Sequence, residues 1–249
     1  MVQKFEFHFS PAGEDRLIHL YLPDDYYSSD ERYPVLYMFD GHNLYFDSDA
    51  TFGKSLGMKE FLDSWGKKLI VVGIECSSQD LQRVHEYCPY NIHSNIYGAV
   101  SGRGDATVAW IANELKPHID RSYRTYPFRE ATAIAGYSMG GMLTLYAVLR
   151  YNNIFSKAAV ISPSIVPAMD EFRKEVRDSL SADTRIFFSW GTAEYEHEYN
   201  ELVAACILEV EKEVQKQGVR TWLFCQSGGQ HNEASWEHQV PTWMQFMWF

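Results

Sequence analysis

Cysteine is scarce in this sequence: there are four, Cys76, Cys88, Cys206 and Cys225, with no C-x-x-C spacing among them. A reduced, cytoplasmic setting is therefore expected, with Cys76 and Cys225, at the ends of apolar runs, acting as small buried hydrophobes. Positive charge is also short, with 22 Lys and Arg against 33 Asp and Glu, a formal net charge of −11. Such a surface repels phosphate backbones and anionic headgroups, so neither nucleic acid nor membrane is expected as a partner. No apolar run approaches the roughly 20 residues that span a bilayer. The first residues, Met1 to Phe9, alternate polar and apolar and lack an apolar h-region, reading as a strand and not as a signal peptide. Internal repeats, low-complexity tracts and linkers are missing as well, so residues 1–249 are expected to form a single domain.

What is present is material for a large core, with 46% hydrophobic residues. Lys4 to Phe9 and Arg16 to Leu22 alternate around the turn-forming Pro11–Asp15, which predicts an antiparallel hairpin at a sheet edge. Val35 to Phe39 and Leu69 to Cys76 are almost continuously apolar, as befits strands covered on both faces. Further strands are expected over Ala131–Ala135, Ala158–Ser162, Thr184–Gly191 and Thr221–Cys225. Helices are expected over Ser55–Lys67, Ala106–Tyr123, Met142–Leu149, Met169–Leu180 and Glu198–Gln217, with Pro117 kinking or breaking the second. This alternation predicts an α/β protein with a mostly parallel central sheet, an N-terminal antiparallel hairpin and helices on both faces. Residues 77–104 show no clear period, and a connection that long is expected to cover a functional site.

The chemistry concentrates at Gly136-Tyr137-Ser138-Met139-Gly140, a G-x-S-x-G set between a buried strand and a helix. A sharp strand-to-helix turn presents the serine hydroxyl, and the flanking glycines let backbone approach without a Cβ clash. The helix directs its N-terminal N–H groups at the same point. Ser138 is the expected nucleophile. It needs a base, and the order Ser, acid, His leaves His231 and His238 among the nine histidines. His231, in Gly228-Gly229-Gln230-His231, sits just past the last strand and is preferred. The acid should leave the Thr184–Gly191 strand, where Glu194 is nearest and Glu196 and Glu198 could instead begin the next helix; Asp170 is a distant alternative. The backbone N–H of Met139 and of His42, the latter in the Asp40-Gly41-His42 turn, are the expected oxyanion donors. Asp40, Arg83, Tyr87, Tyr90 and Tyr97 are the candidate substrate-binding residues.

Taken together, Tyr37-Met-Phe-Asp-Gly41, Glu86-Tyr-Cys-Pro89, Glu114-Leu-Lys-Pro117, Gly136-Tyr-Ser-Met-Gly-Gly141 and Ser162-Pro-Ser164 resemble the Putative esterase family of the α/β-hydrolase superfamily. That family includes esterase D-type S-formylglutathione hydrolases, enterochelin esterase-like enzymes and bacterial mycolyltransferases. The resemblance runs from about Val35 to Trp236 and implies an α/β-hydrolase fold. Gly191-Thr-Ala-Glu194 is similar to the family's acid loop, which favours Glu194, and Gly229 to Trp236 is similar to its histidine loop. The lack of a secretion signal argues against a mycolyltransferase, and the negative charge against an anionic siderophore ester. The nearest likeness is to small intracellular hydrolases.

The expected function is that of a serine esterase with a Ser138–His231–Glu194 triad, needing no metal or organic cofactor and taking a small-molecule ester. Nothing in the sequence speaks against a homo-oligomer. The alternatives are acyl transfer to an alcohol or sugar, a catalytically idle binding module, and a metal site built from His42, His197 and the acids at 194–198.

Overall fold

The computed structural model describes residues 1–79, 81–176 and 180–249. Strands β1 (Val2–Phe9), β2 (Glu14–Tyr21) and β3 (Val35–Phe39) are followed by α1 (Met58–Ser64) and β4 (Ile70–Ile74). Next come α2 (Gln82–Tyr87), the short strands β5 (Ile92–Ser94) and β6 (Gly98–Val100), α3 (Gly104–Trp110) and α4 (Lys116–Ser122). The chain continues through β7 (Thr132–Tyr137), α5 (Met139–Arg150), β8 (Lys157–Ile161), α6 (Met169–Glu175) and β9 (Arg185–Gly191). It ends with α7 (His197–Gln215), β10 (Arg220–Gln226), α8 (Glu233–Glu237) and α9 (Val240–Trp248).

Eight strands form one sheet in the order β1-β2-β4-β3-β7-β8-β9-β10. The β1–β2 and β2–β4 pairs are antiparallel, and every pair from β4 to β10 is parallel. The continuous apolar runs follow from burial on both faces. In β3, Val35, Tyr37 and Phe39 enter the core beneath α3–α7, while Leu36 and Met38 enter the core beneath α1 and α9. Helix α5 is buried from Met139 to Leu149, which explains its lack of a polar face. Helix α7 is two-sided: Val203, Cys206, Ile207, Val210 and Val214, at spacings of three and four, face the sheet.

Two expectations change on contact with the structure, those for residues 77–104 and for Cys225. The helix expected over 106–123 runs without interruption from Gly104 to Ser122, with a π-helical turn at Ile111–Leu115. Pro117, where a kink or break was expected, stands directly after that turn, which accommodates its missing N–H. Residues 77–104 carry α2 and the β5–β6 hairpin; three-residue strands are too short to show a period. Cys225 is exposed, because β10 is an edge strand covered on one side only, and all four cysteines are free. The helix expected to reach Leu180 is described as far as Glu175, and residues 177–179 of that expectation lie outside the described residues. The Trp- and Met-rich terminus forms α8 and α9, whose Trp236, Val240, Trp243, Met244 and Met247 cover the second sheet face. Among the described residues no helix is long and apolar enough to cross a membrane.

The parallel strands all point their C-terminal ends at one rim, and the loops leaving that rim are packed backbone against backbone. The loop after β9 lies against the loop after β10: Ala193 N–H donates to the Gly229 carbonyl at 2.9 Å and Thr192 N–H to the Gln226 carbonyl at 2.9 Å. A Cβ on Gly191 would lie 2.2 Å from the Gly229 oxygen, so glycine is required for this approach. Gly191→Ala should therefore force the two loops apart and destabilise the protein by about 2 kcal/mol or more, read from urea unfolding.

Candidate active site

Ser138 joins β7 to α5 with φ 59° and ψ −124°, a conformation that L-residues rarely adopt. The turn is held from three sides. Ser138 N–H donates to the Ile161 carbonyl (3.0 Å), while its own carbonyl accepts from Met142 N–H (3.1 Å) and Ser164 N–H (3.1 Å). The motif glycines are there for contact: a Cβ on Gly136 would come within 2.6 Å of Gly140 backbone, and one on Gly141 within 2.7 Å of the Ile161 oxygen.

His231 leaves the loop after β10 and brings Nε2 to 2.8 Å from Ser138 Oγ. Its Nδ1 lies 3.1 Å from Glu194 Oε2. A proton placed on Nδ1 donates to the carboxylate and frees Nε2 to accept from the serine hydroxyl. The ring is wedged edge-on against Trp236 (5.0 Å between centroids) and lies against Tyr195 (5.1 Å), whose hydroxyl is also 3.1 Å from Nδ1. The Glu194 side chain is only 1% exposed. Its second oxygen, Oε1, accepts from the Gly191 N–H at 2.6 Å and from the Ser162 hydroxyl at 2.5 Å. Ser162 in turn accepts from Trp236 Nε1 at 2.9 Å.

The remaining acids and bases stand elsewhere. Glu196 caps α7 and Glu198 lies in its first turn, both exposed. His197 is 86% exposed beside Glu201, and Asp170 is 89% exposed beside Arg173. His238 follows α8. The set His42, His197 and the acids at 194–198 therefore does not converge. Asp40, His42 and Cys76 do place ligand atoms within 4.8 Å of one another. Arg83 already occupies both Asp40 oxygens, however, and burial pushes the Cys76 thiol up, keeping it protonated.

Asp40 follows β3 with φ 57°, its side chain buried and its carboxylate clamped by Arg83 Nε and Nη2, each at 2.7 Å. Arg83 is thus committed to an internal partner. The next residue, Gly41, touches β4: a Cβ there would be 2.6 Å from the Gly73 carbonyl carbon. Among the described residues neither the His42 nor the Met139 backbone N–H has an acceptor. Burial holds the His42 imidazole below its usual range, so the ring is neutral.

Two cavities meet at Ser138 and His231, which line both. The larger, about 770 Å³, is walled by Asp40, His42, Asn43, Arg83 and Glu233. The smaller, about 130 Å³, is apolar, with Val84, Ile92, Tyr97, Val100, Met139 and Met142 in its wall. Tyr97 and Arg83 thus border the cavities, whereas two other expected substrate-binding residues do not. Tyr87 is buried against Phe39 and accepts the Asp40 N–H at 3.2 Å. Tyr90 packs edge-on against Tyr146 and Phe172. Tyr87 is a core residue and Tyr90 packs against the same core partly buried, because the segment from α2 into the hairpin turns both inward. Ser162, Trp236 and Tyr195 escaped the sequence reading; Ser162-Pro-Ser164 and Trp236 stood in motifs, but nothing local to them signals contact with Glu194 or His231.

A family model described as Putative esterase matches residues 10–247. Esterase Rv1288 of Mycobacterium tuberculosis is 30% identical over 155 residues, which is 62% of this chain and 30% of that protein. The uncharacterized protein YbbA of Bacillus subtilis is 26% identical over 185 residues, 74% of this chain and 70% of YbbA. Among solved structures, an IroE-like serine hydrolase from Shewanella oneidensis superposes with a TM-score of 0.79 at 17% identity, over 99% of this chain and 79% of that one. The enterobactin esterase FES from Shigella flexneri gives 0.74 at 14%, over 100% of this chain and 59% of that one. At such identities these structures speak to the fold, which is that of the α/β hydrolases.

Removing the Ser162 hydroxyl leaves Glu194 Oε1 one donor short and Trp236 Nε1 without its acceptor, while leaving the Ser138–His231 contact itself in place. Ser162→Ala should lower kcat for a simple ester about 10-fold or more with KM little changed, measured under saturating substrate.

Proposed function

The chain belongs to the Putative esterase family, and we propose that this carboxylic-ester hydrolase works through an acyl-enzyme on Ser138. The observation that carries the reading is the single ring of His231, 2.8 Å from Ser138 Oγ on one side and 3.1 Å from a buried carboxylate on the other.

Ser138 Oγ attacks the ester carbonyl carbon while its proton passes to His231 Nε2. The imidazolium so formed is stabilised by Glu194, whose oxygens accept from Ser162, Gly191 and His231. The carbonyl electron pair moves to oxygen, where the unpaired N–H groups of His42 and Met139 receive it. The second of these lies at the first turn of α5, whose dipole adds to the effect. As the tetrahedral intermediate collapses, the ester C–O bond breaks and Nε2 returns its proton to the departing alkoxide, releasing the alcohol. Water then attacks the acyl-enzyme, gives its proton to Nε2 and releases the acid, and the proton goes back to Ser138.

The apolar cavity beside Met139 and Met142 suits a short acyl chain. Hydrolysis of p-nitrophenyl esters from acetate to octanoate should favour the shorter members. Ser138→Ala should cut kcat by about 10⁴-fold or more at every chain length. A mutant that keeps its rate would refute the mechanism.

A further inference from the structure

The larger cavity at Ser138 is rich in ionisable side chains, yet almost every charge in its wall is already paired within the protein. Asp40 is held by Arg83 through two contacts of 2.7 Å. Asp49 meets Lys4 at 2.7 Å. Glu75 lies 2.7 Å from Nε2 of the buried His19. Glu233 is the exception. It is 5% exposed, lines the cavity, and makes no ion pair among the described residues. Its one side-chain partner is an amide: Asn43 Nδ2 donates to Oε1 at 3.2 Å, and Asn43 is itself fixed by accepting the Thr51 N–H at 2.9 Å. Burial raises the Glu233 pKa above the usual carboxylate range, and the carboxyl accepts a hydrogen bond from the cavity wall.

Asp40 and Asp49 are each held by a cation of the chain, and the wall as a whole is rich in groups that exchange hydrogen bonds. Hydroxyls, which donate and accept alike, are the chemistry that fits it. At the rim, Phe52 is 81% exposed and lines the cavity, an aromatic surface suited to the C–H groups of a cyclic polyol. The opposite cavity is apolar and small. Accepting Ser138 as the nucleophile, we infer that the larger cavity binds the alcohol half of the ester, that this alcohol is a neutral polyhydroxylated compound such as a sugar, and that Glu233 is the residue that selects it by hydrogen bonding to its hydroxyls.

The test compares three acetates, methyl 6-O-acetyl-glucopyranoside, acetylcholine and p-nitrophenyl acetate, with wild type, Glu233→Gln, Glu233→Leu and Phe52→Ala. Wild type should prefer the glucoside to acetylcholine by about 10-fold or more in kcat/KM. Glu233→Leu should lower the ratio of glucoside to p-nitrophenyl acetate turnover about 10-fold, through KM, while Glu233→Gln, which still accepts, should hold that ratio within about 3-fold. Phe52→Ala, at an exposed site that does not endanger folding, should raise KM for the glucoside several-fold and carries the test should Glu233→Leu not fold. A preference for acetylcholine overturns the inference, as does an equal loss on glucoside and nitrophenyl ester in Glu233→Leu or, for a leucine variant that does not fold, in Phe52→Ala. Failure of the nucleophile assignment is a separate signal, p-nitrophenyl acetate turnover surviving Ser138→Ala.

Discussion

One buried carboxylate ties this site together. A carboxyl group 1% exposed is tenable only when its oxygens are partnered, and Glu194 is partnered by groups from three further places in the chain. Ser162 comes from the end of β8, the Gly191 N–H from the end of β9, and His231 from the loop after β10. Trp236, from α8, completes the circuit by donating to Ser162 and walling the imidazole. The acid therefore does more than orient a ring. It fixes the spacing of successive loops at the C-terminal rim of the sheet, and the glycine contact between residues 191 and 229 is the steric counterpart of that electrostatic tie.

Backbone strain follows the same rim. Among the described residues, the non-glycine positions with positive φ are Asp40, Ser138 and Ser162. They stand just past the ends of β3, β7 and β8, which are neighbours in the sheet. Each is held by specific partners: Asp40 by Arg83 and Tyr87, Ser138 by Ile161, Met142 and Ser164, and Ser162 by Ser189, Glu194 and Trp236. Conformations of this kind persist where surrounding structure over-determines them, and here the surroundings do so along one line of the sheet.

How much of this was legible in the sequence depended on distance along the chain. The strand, glycine spacing and helix around Ser138 are local, so the elbow could be read directly, and the apolar run of Val35–Phe39 announced a strand covered on both faces. The order of loops in a parallel sheet narrowed the base to His231 and His238 and the acid to Glu194, Glu196 and Glu198, and nearness to the strand ends together with the family resemblance favoured His231 and Glu194. What could not be read was set by tertiary contact. Arg83 and Tyr87 look like exposed binding groups until α2 turns them toward Asp40 and Phe39. The role of Ser162 exists only because β8 lies beside β9. Cys225 looked buried because its apolar neighbours cannot reveal that β10 is the last strand. The β5–β6 hairpin, with three residues in each strand, has too few for alternation to show.

The position of β10 carries one more consequence. Ser138 grows from β7, in the middle of the sheet, but His231 hangs from the loop after a strand paired along one side and partly open to solvent. Opening of a border strand requires fewer contacts to break than opening of the centre, so β10 belongs to the part of the molecule that loosens first. The Ser138–His231 contact is thereby coupled to the least secure margin of the sheet: on warming it should part while the bulk of the tertiary structure is still intact, so that the site reports the fraying of its own border.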